Sequence, residues 1–419
     1  MTSEAPTEAY VWIWLPEATE PVVAGKLEQD GDRLIFAYGK SYLARDNAIP
    51  IYEPELPLRA GTLPLLTGLK AANCIRDAAP DAWGRRVIIN RKMGLKGPKA
   101  DAADLSELTY LLESGSDRIG ALDFQLSPKD YIPREKQAAT LEKLISSAQR
   151  VEEGVPLTPE LDQALFHGTA LGGARPKALI DNDPVKCIAK FSASNDTYSV
   201  VKGEYIAMRL AALAGLSVAP VKLVAAADKD VLLIERFDRI HTGEGWRRRA
   251  IISALTLFEL DEMMARYASY DQLAEIIRLR FTDPKPTLRE MFGRLVFNIL
   301  CGNTDDHARN HAAFWDGKEL SLTPAYDICP QSRAGGEASQ AMSILEGQNL
   351  SKLSICIEAA PRFLVEDRDA HEIIQHQVQT IRDYWGEVCD EANLTKVDRD
   401  YFWERQFLNP YAFEGTALS

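Results

Sequence analysis

The chain has 419 residues, too many for one ordinary domain, and its 46% hydrophobic and 26% charged residues suit a globular protein with sizeable cores. A net charge of −13 speaks against a dedicated nucleic-acid binder, because neutralising phosphates needs a basic surface. Six scattered cysteines with no CxxC pair exclude a disulfide framework or a zinc ribbon, and no apolar run approaches the roughly 20 residues of a membrane span, so a cytoplasmic location is expected.

In chain order, the first hundred residues alternate apolar and polar positions, as in "AYVWIWL" and "PVVAGKLEQDGDRLIFAYGKSYLA", with Asp30-Gly31 as a hairpin turn. "IRDAAPDAWGRRVIINRKMG" reads as a turn and a helix, and Leu105, Leu108, Leu111 and Leu112 mark a second helical segment. This predicts a β-rich domain over residues 1–105. A strand from Lys177 to Ile180, a turn at Asp181-Asn182-Asp183-Pro184 and a strand from Val185 to Phe191 form a hairpin. A helix, "GEYIAMRLAALAGL", and two strands, "APVKLVAAAD" and "KDVLLIERFDR", complete a second region over 106–240. The remainder, 241–419, is mostly helical. In "TLREMFGRLVFNIL", Leu288, Met291, Phe292, Leu295 and Ile299 share one face, and Thr287 with Glu290 has the spacing of a capping box. The expected class is α+β.

Directly behind that apolar helix comes "CGNTDDHARNHAAFW". Asp305 and Asn310 stand in D-x4-N spacing, which suits phosphoryl transfer: an aspartate takes the acceptor hydroxyl's proton while an asparagine carbonyl on the same loop holds Mg²⁺. Asp327 in "PAYDICP", read as the end of a short strand, is a candidate second metal ligand. The bland alternative is a solvated acidic loop. His307 and His311 at i, i+4 invite a zinc reading, but Ala308 stands where the protease motif needs glutamate, so loop support by His307 is the better reading.

Earlier segments supply companions in a consistent order. Gly172-Gly173 in "GTALGGARPK" would let backbone N–H groups approach phosphates. Alternation in "KCIAKFS" places Lys190 on the face opposite Cys187, Ala189 and Phe191, where a lysine needs an anion. Glu204, opening the next helix, is its candidate partner, with a helix-dipole charge as the alternative. Glu235 and Phe237 in "LLIERFDR" would form a hinge between lobes. Glycine loop, lysine strand, glutamate helix, hinge, D-x4-N loop and late aspartate follow the order of a two-lobed kinase.

"LGGARPKALI", "LLIERFDR", "GNTDDHARNHA" and "LTPAYDICP", with "IRDAAPDAWGRRVI" nearer the N-terminus, resemble the motifs of HipA-type serine/threonine kinases, toxins of bacterial toxin–antitoxin modules. The resemblance implies a two-lobed protein-kinase-like core, with a β-rich N-lobe and a helical C-lobe, behind an N-terminal β-rich domain. It implies Asp305 as catalytic base and Asn310 and Asp327 as Mg²⁺ ligands. Lys190 would hold the phosphates of ATP, the Gly172, Gly173, Ala174 and Arg175 backbone, with Lys177 beside it, would line the phosphate loop, and Glu235 and Phe237 would contact the nucleotide. It implies an aminoacyl-tRNA synthetase as substrate and a DNA-binding antitoxin of the HipB type as partner, with DNA reached only through that partner. One departure is that Ala170 stands where the family's autophosphorylated loop serine is expected, leaving Thr169 as the neighbouring hydroxyl. A small-molecule kinase and a non-catalytic kinase-fold subunit of a repressor complex are the alternatives.

Overall fold

A computed structural model describes residues 6–93, 105–134, 140–153, 175–182, 184–192, 196–333 and 335–417. It divides into two compact units: residues 1–195, 224–252 and 314–318, and residues 196–223, 253–313 and 319–419. The class is α+β, as the alternation and helical spacing predict.

The first unit contains two principal sheets. In one, β1 (Glu8–Ile13), β2 (Val22–Asp30), β3 (Arg33–Tyr38), β4 (Thr62–Leu63) and β5 (Leu122–Gln125) take the order β4-β3-β2-β1-β5. The β2–β3 turn falls where Asp30-Gly31 indicates, with Asp30 facing Arg33 and Gly31 at φ +62, a conformation glycine adopts without a Cβ penalty. The fifth strand pairs Tyr10 with Gln125 and comes from beyond residue 105. Helices α1 (Ala82–Met93), α2 (Glu107–Glu113) and α3 (Leu141–Glu152) belong to the same unit.

The other sheet takes the order β6-β7-β9-β8, from β6 (Lys177–Asn182), β7 (Val185–Phe191), β8 (Val221–Ala226) and β9 (Lys229–Glu235). Ala178, Cys187, Ala189, Phe191, Val231 and Leu233 bury one face against Trp83 and Val87 of α1 and Leu144, Ile145, Ala148 and Val151 of α3. Burying each of the larger of these side chains stabilises by about 1.5–3 kcal/mol. Lys190 falls on the opposite face, as the alternation requires. The hairpin β10 (Arg239–Thr242) and β11 (Gly245–Arg248) follows, and the chain stays in this unit to Ile252. The Glu235–Phe237 stretch, expected to be the hinge, lies within the first unit, which the chain leaves after Ile252 in one of several passages between the units.

The second unit is mostly helical. Its α4 (Val200–Leu213) begins a turn before Glu204, so Glu204 is an interior residue, 2% exposed, and not a charge at the helix mouth. Among the remaining helices are α5 (Tyr270–Arg280), α6 (Pro284–Leu300), α7 (Asp367–Glu391) and α8 (Lys396–Phe402). Glu391 of α7 accepts from Tyr205 and Arg209 of α4 at 3.0–3.1 Å. The predicted capping box on α6 is not formed. Pro284 starts the helix after Asp283, Thr287 Oγ1 donates back to the Asp283 carbonyl, and Glu290 accepts from Ser217 N and Arg294 Nε. Among the described residues no helix is long and apolar enough to cross a membrane, and all six cysteines are buried and free.

Candidate active site

The polar stretch behind α6 is launched by a specific stop. Cys301 is the C-cap and Gly302 follows at φ +72. Gly302 N donates to Ile299 O at 3.2 Å and Asn303 N to Asn298 O at 2.8 Å, the paired bonds of a Schellman motif. A helix whose last ten residues, Met291–Leu300, are all buried thus ends in a fixed geometry, from which the 303–311 loop departs.

Within that loop Asp305 is exposed and Asn310 is buried. Asn310 Nδ2 donates to the Asp305 main-chain carbonyl at 3.2 Å, which assigns the amide and leaves Oδ1 as an acceptor. Asn310 N also bonds the His307 carbonyl at 2.8 Å, closing the short 3-10 turn Ala308–Asn310. Although Asp305 is exposed, its carboxyl is partly desolvated, which pushes it above its ordinary value; nearby His307 opposes the shift and the charge of Asp327 adds to it. The two carboxylates are therefore close enough to interact, and a divalent cation would relieve that repulsion.

Asp327 is not at a strand end as expected. The strand Leu320–Leu322 stops earlier, Ala325 bridges to Val218, and Asp327 sits in the left-handed region at φ +60. Aspartate tolerates that conformation better than most residues, at a cost of about 1–3 kcal/mol. The chain turns there without a glycine. The neighbouring Tyr326 hydroxyl donates to the Arg309 carbonyl at 2.7 Å, tying this turn to the D-x4-N loop.

The ring that supports the loop is His311, not His307. His311 Nε2 meets Asp306 Oδ2 at 3.0 Å, while His307 contributes its carbonyl to the Ala308–Asn310 turn. Asp306, to which the sequence assigns no role, is 3% exposed.

Other expected site residues fall in the first unit. Lys177 and Lys190 face each other directly across β6 and β7. Like charges in that register repel and call for anions. The buried Lys177 ammonium lies 3.7 Å from the Asp81 carboxylate, so an internal anion serves it already. Arg175 lies just before β6, Glu235 closes β9 in an exposed position, and Phe237 stacks edge-on against Phe314 with centroids 5.8 Å apart. Glu204 belongs to the second unit. Thr169, Ala170, Gly172, Gly173 and Ala174 lie outside the described residues.

One constellation was missed from sequence. Asp117 Oδ1 accepts from Arg236 Nη1 at 3.0 Å and from Arg239 Nε and Nη2 at 3.0 and 2.8 Å, and its Oδ2 accepts from Lys186 at 2.8 Å. Asp238 takes both arginines again and Gly120 N. Burial alone would push the Asp117 carboxyl up, but Arg236, Arg239 and Lys186 outweigh it and hold the group well below the usual carboxylate range. The charged residues of "ERFDR" after Glu235 thus anchor the end of β9 to the turn before β5. The signal available in sequence was a dense run of charge closing an apolar strand.

A family model described as HipA-like C-terminal domain matches residues 169–385, and one described as HipA N-terminal domain matches residues 14–125. The chain is 24% identical, over 93% of its length and 94% of the relative's, to the putative kinase Y4mE of Sinorhizobium fredii. It is 29% identical to the serine/threonine-protein kinase toxin HipA of Shewanella oneidensis over 31% of this chain and 34% of that one. Its fold is similar to a chain in the solved complex of Shewanella oneidensis HipA, HipB and operator DNA, with a TM-score of 0.66 at 19% identity, covering 96% of this chain and 99% of that chain.

Proposed function

The chain belongs to the HipA family, whose C-terminal domain model covers more than half of it, and from that premise we propose that it is an ATP- and Mg²⁺-dependent serine/threonine protein kinase serving as the toxin of a toxin–antitoxin module. The kinase and toxin names of its relatives support the reading. The observation that carries it is local: one loop presents an exposed carboxylate, Asp305, and fixes Asn310 by its amide nitrogen so that Oδ1 remains for a ligand.

The donor set suits a hard divalent cation, which prefers oxygen ligands such as an amide carbonyl and a carboxylate. Asn310 Oδ1 and Asp327 would hold Mg²⁺, whose bound charge neutralises the phosphates during transfer. Asp305 would accept the proton of a Ser or Thr hydroxyl, and its raised pKa makes it a better base than an ordinary aspartate. Lys190, on the sheet face away from the core, would pair with nucleotide phosphates. The glycine segment Gly172–Ala174 with Arg175 would line the phosphates, and Glu235 and Phe237 would contact the adenine.

An aminoacyl-tRNA synthetase is the proposed substrate, and Thr169 the hydroxyl available for loop autophosphorylation. A HipB-type antitoxin is the proposed partner. The solved relative is in complex with HipB and operator DNA, and the net charge of −13 suits a chain that leaves DNA to its partner. Purified protein incubated with labelled ATP and Mg²⁺ in a bacterial lysate, beside Asp305→Ala, tests the proposal. A labelled protein band with wild type alone supports it and identifies the target by mass. Equal labelling by Asp305→Ala, or label on a metabolite only, overturns it.

A further inference from the structure

Asp305 and Asp306 are neighbours whose side chains part company: one is exposed, the other 3% exposed. Asp306 Oδ2 accepts from Asn298 Nδ2 at 2.8 Å, from His311 Nε2 at 3.0 Å and from the Tyr270 hydroxyl. Three donors on one oxygen suit a carboxylate, and all three come from residues at most 4% exposed, so water does not compete. Asn298 lies in the last turn of α6, Tyr270 opens α5, and His311 leaves the loop. The partners are themselves held. Asn298 Oδ1 accepts from Asn303 Nδ2 at 3.0 Å, the His311 carbonyl accepts from Ala254 N at 2.8 Å, and the Tyr270 ring stands edge-on to the imidazole.

We propose that Asp306 is a positioning residue that pins the middle of the 303–311 loop to α5, α6 and the loop's own exit, so that Asp305 and Asn310 are held on either side of one buried anchor. The pin has a stated geometry because its ties come from three places: the helix before the loop, a helix elsewhere in the unit and the residue after Asn310. A backbone loop tied only at its ends could swing Asp305, and a displacement of about 1 Å in a reacting group can cost about 100-fold in rate. The His311 ring donates through Nε2, and its buried Nδ1 has no hydrogen-bond partner among the described residues, so the imidazole is committed to Asp306. The catalytic part of this inference rests on the phosphoryl-transfer reading; the mechanical part does not.

The test uses the full chain as wild type, Asp306→Ala, Asp306→Asn and Tyr270→Phe. Label transfer from Mg²⁺–ATP to the lysate protein that wild type phosphorylates is measured per nucleotide-binding site, with ATP affinity measured separately and amide hydrogen exchange read over 303–311. Asp306→Ala should transfer about 100-fold more slowly per site with ATP affinity within about threefold, and Asp306→Asn, which keeps an acceptor oxygen, should recover at least about tenfold of the loss. Tyr270→Phe should fall between them. Amides 303–311 should exchange at least about tenfold faster in Asp306→Ala while those of α6 before Asn298 do not change. Transfer by Asp306→Ala within about threefold of wild type, or unchanged exchange in the loop, overturns the proposal. If wild type transfers no label at all, the kinase reading fails by itself, and the exchange data alone decide whether Asp306 pins the loop.

Discussion

Asn310 Nδ2 donates to the main-chain carbonyl of Asp305 at 3.2 Å, so the candidate metal ligand also braces the candidate base. One side chain does two jobs, and Asn310→Ala removes both. Its apparent Mg²⁺ requirement should rise by about 10–100-fold, while stability falls by only about 1 kcal/mol. Titrating Mg²⁺ in the transfer assay checks the first number and urea unfolding the second. An unchanged Mg²⁺ requirement would remove Asn310 from the site.

Asp305 also predicts a pH dependence of two signs. Desolvation and the Asp327 charge raise its pKa against the opposing His307, so the acid limb of transfer should lie above an ordinary aspartate's and move to lower pH in Asp327→Asn, read on whatever residual rate remains. For stability the sign reverses. A carboxyl whose folded pKa is raised penalises the folded state above its unfolded pKa, and the penalty disappears as pH falls below it. Asp305→Asn should therefore unfold at a slightly higher temperature than wild type near pH 7.5, with the two melting curves converging towards pH 3. A lower melting temperature for Asp305→Asn at neutral pH would contradict the assigned environment.

How far the sequence exposed this site follows from where the partners lie. Asp305 and Asn310 were legible because both stand on one short loop and the helix before them declares itself through Leu288, Met291, Phe292, Leu295 and Ile299. Lys190 was placed on the correct sheet face because strand alternation depends only on near neighbours. Asp306 was not legible, since Tyr270, Asn298 and His311 converge on it from separate elements. The left-handed turn at Asp327 leaves no glycine to announce it. Thr287 and Glu290 misled because Pro284 opens α6 a turn earlier and Glu290 is used by Ser217 and Arg294 instead.

Asp117 holds three cations inside the first unit, and removing it leaves Arg236, Arg239 and Lys186 facing one another. Asp117→Ala should destabilise that unit by about 3–5 kcal/mol, as expected for a buried charge stripped of its counter-ion. Because the folded pKa of Asp117 is depressed, its contribution is complete above the unfolded carboxyl range near about 3.9 and is lost as pH falls towards the folded value. Acid titration of unfolding should show wild type losing stability faster than Asp117→Ala below about pH 4. A loss under about 1 kcal/mol for Asp117→Ala at pH 7 would mean that the surrounding Asp238 carries the network alone.

Gly302 and Gly347 offer a matched pair, since both have φ +72. A side chain at either position carries the left-handed penalty of about 1–2 kcal/mol. The surroundings differ. A Cβ at Gly347 meets nothing within 4 Å, whereas one at Gly302 would stand 2.7 Å from the carbonyl oxygen of Gln406, a main-chain atom that cannot rotate aside. Leu408 N donates to Leu300 O at 2.7 Å, so the 406–408 segment is tied to the end of α6 and has little room to retreat. Gly347→Ala should therefore cost about 1–2 kcal/mol and leave transfer intact. Gly302→Ala should cost more, by at least about 1 kcal/mol beyond its partner, because overpacking adds to the backbone penalty. The larger loss should come with slower phosphoryl transfer, since relieving the collision reopens the Schellman stop from which the Asp305 loop departs. Calorimetric melting of the two variants separates backbone strain, common to both, from the collision that only Gly302 has; equal shifts would show that the Gln406 backbone yields and that the loop's starting point is softer than this geometry requires.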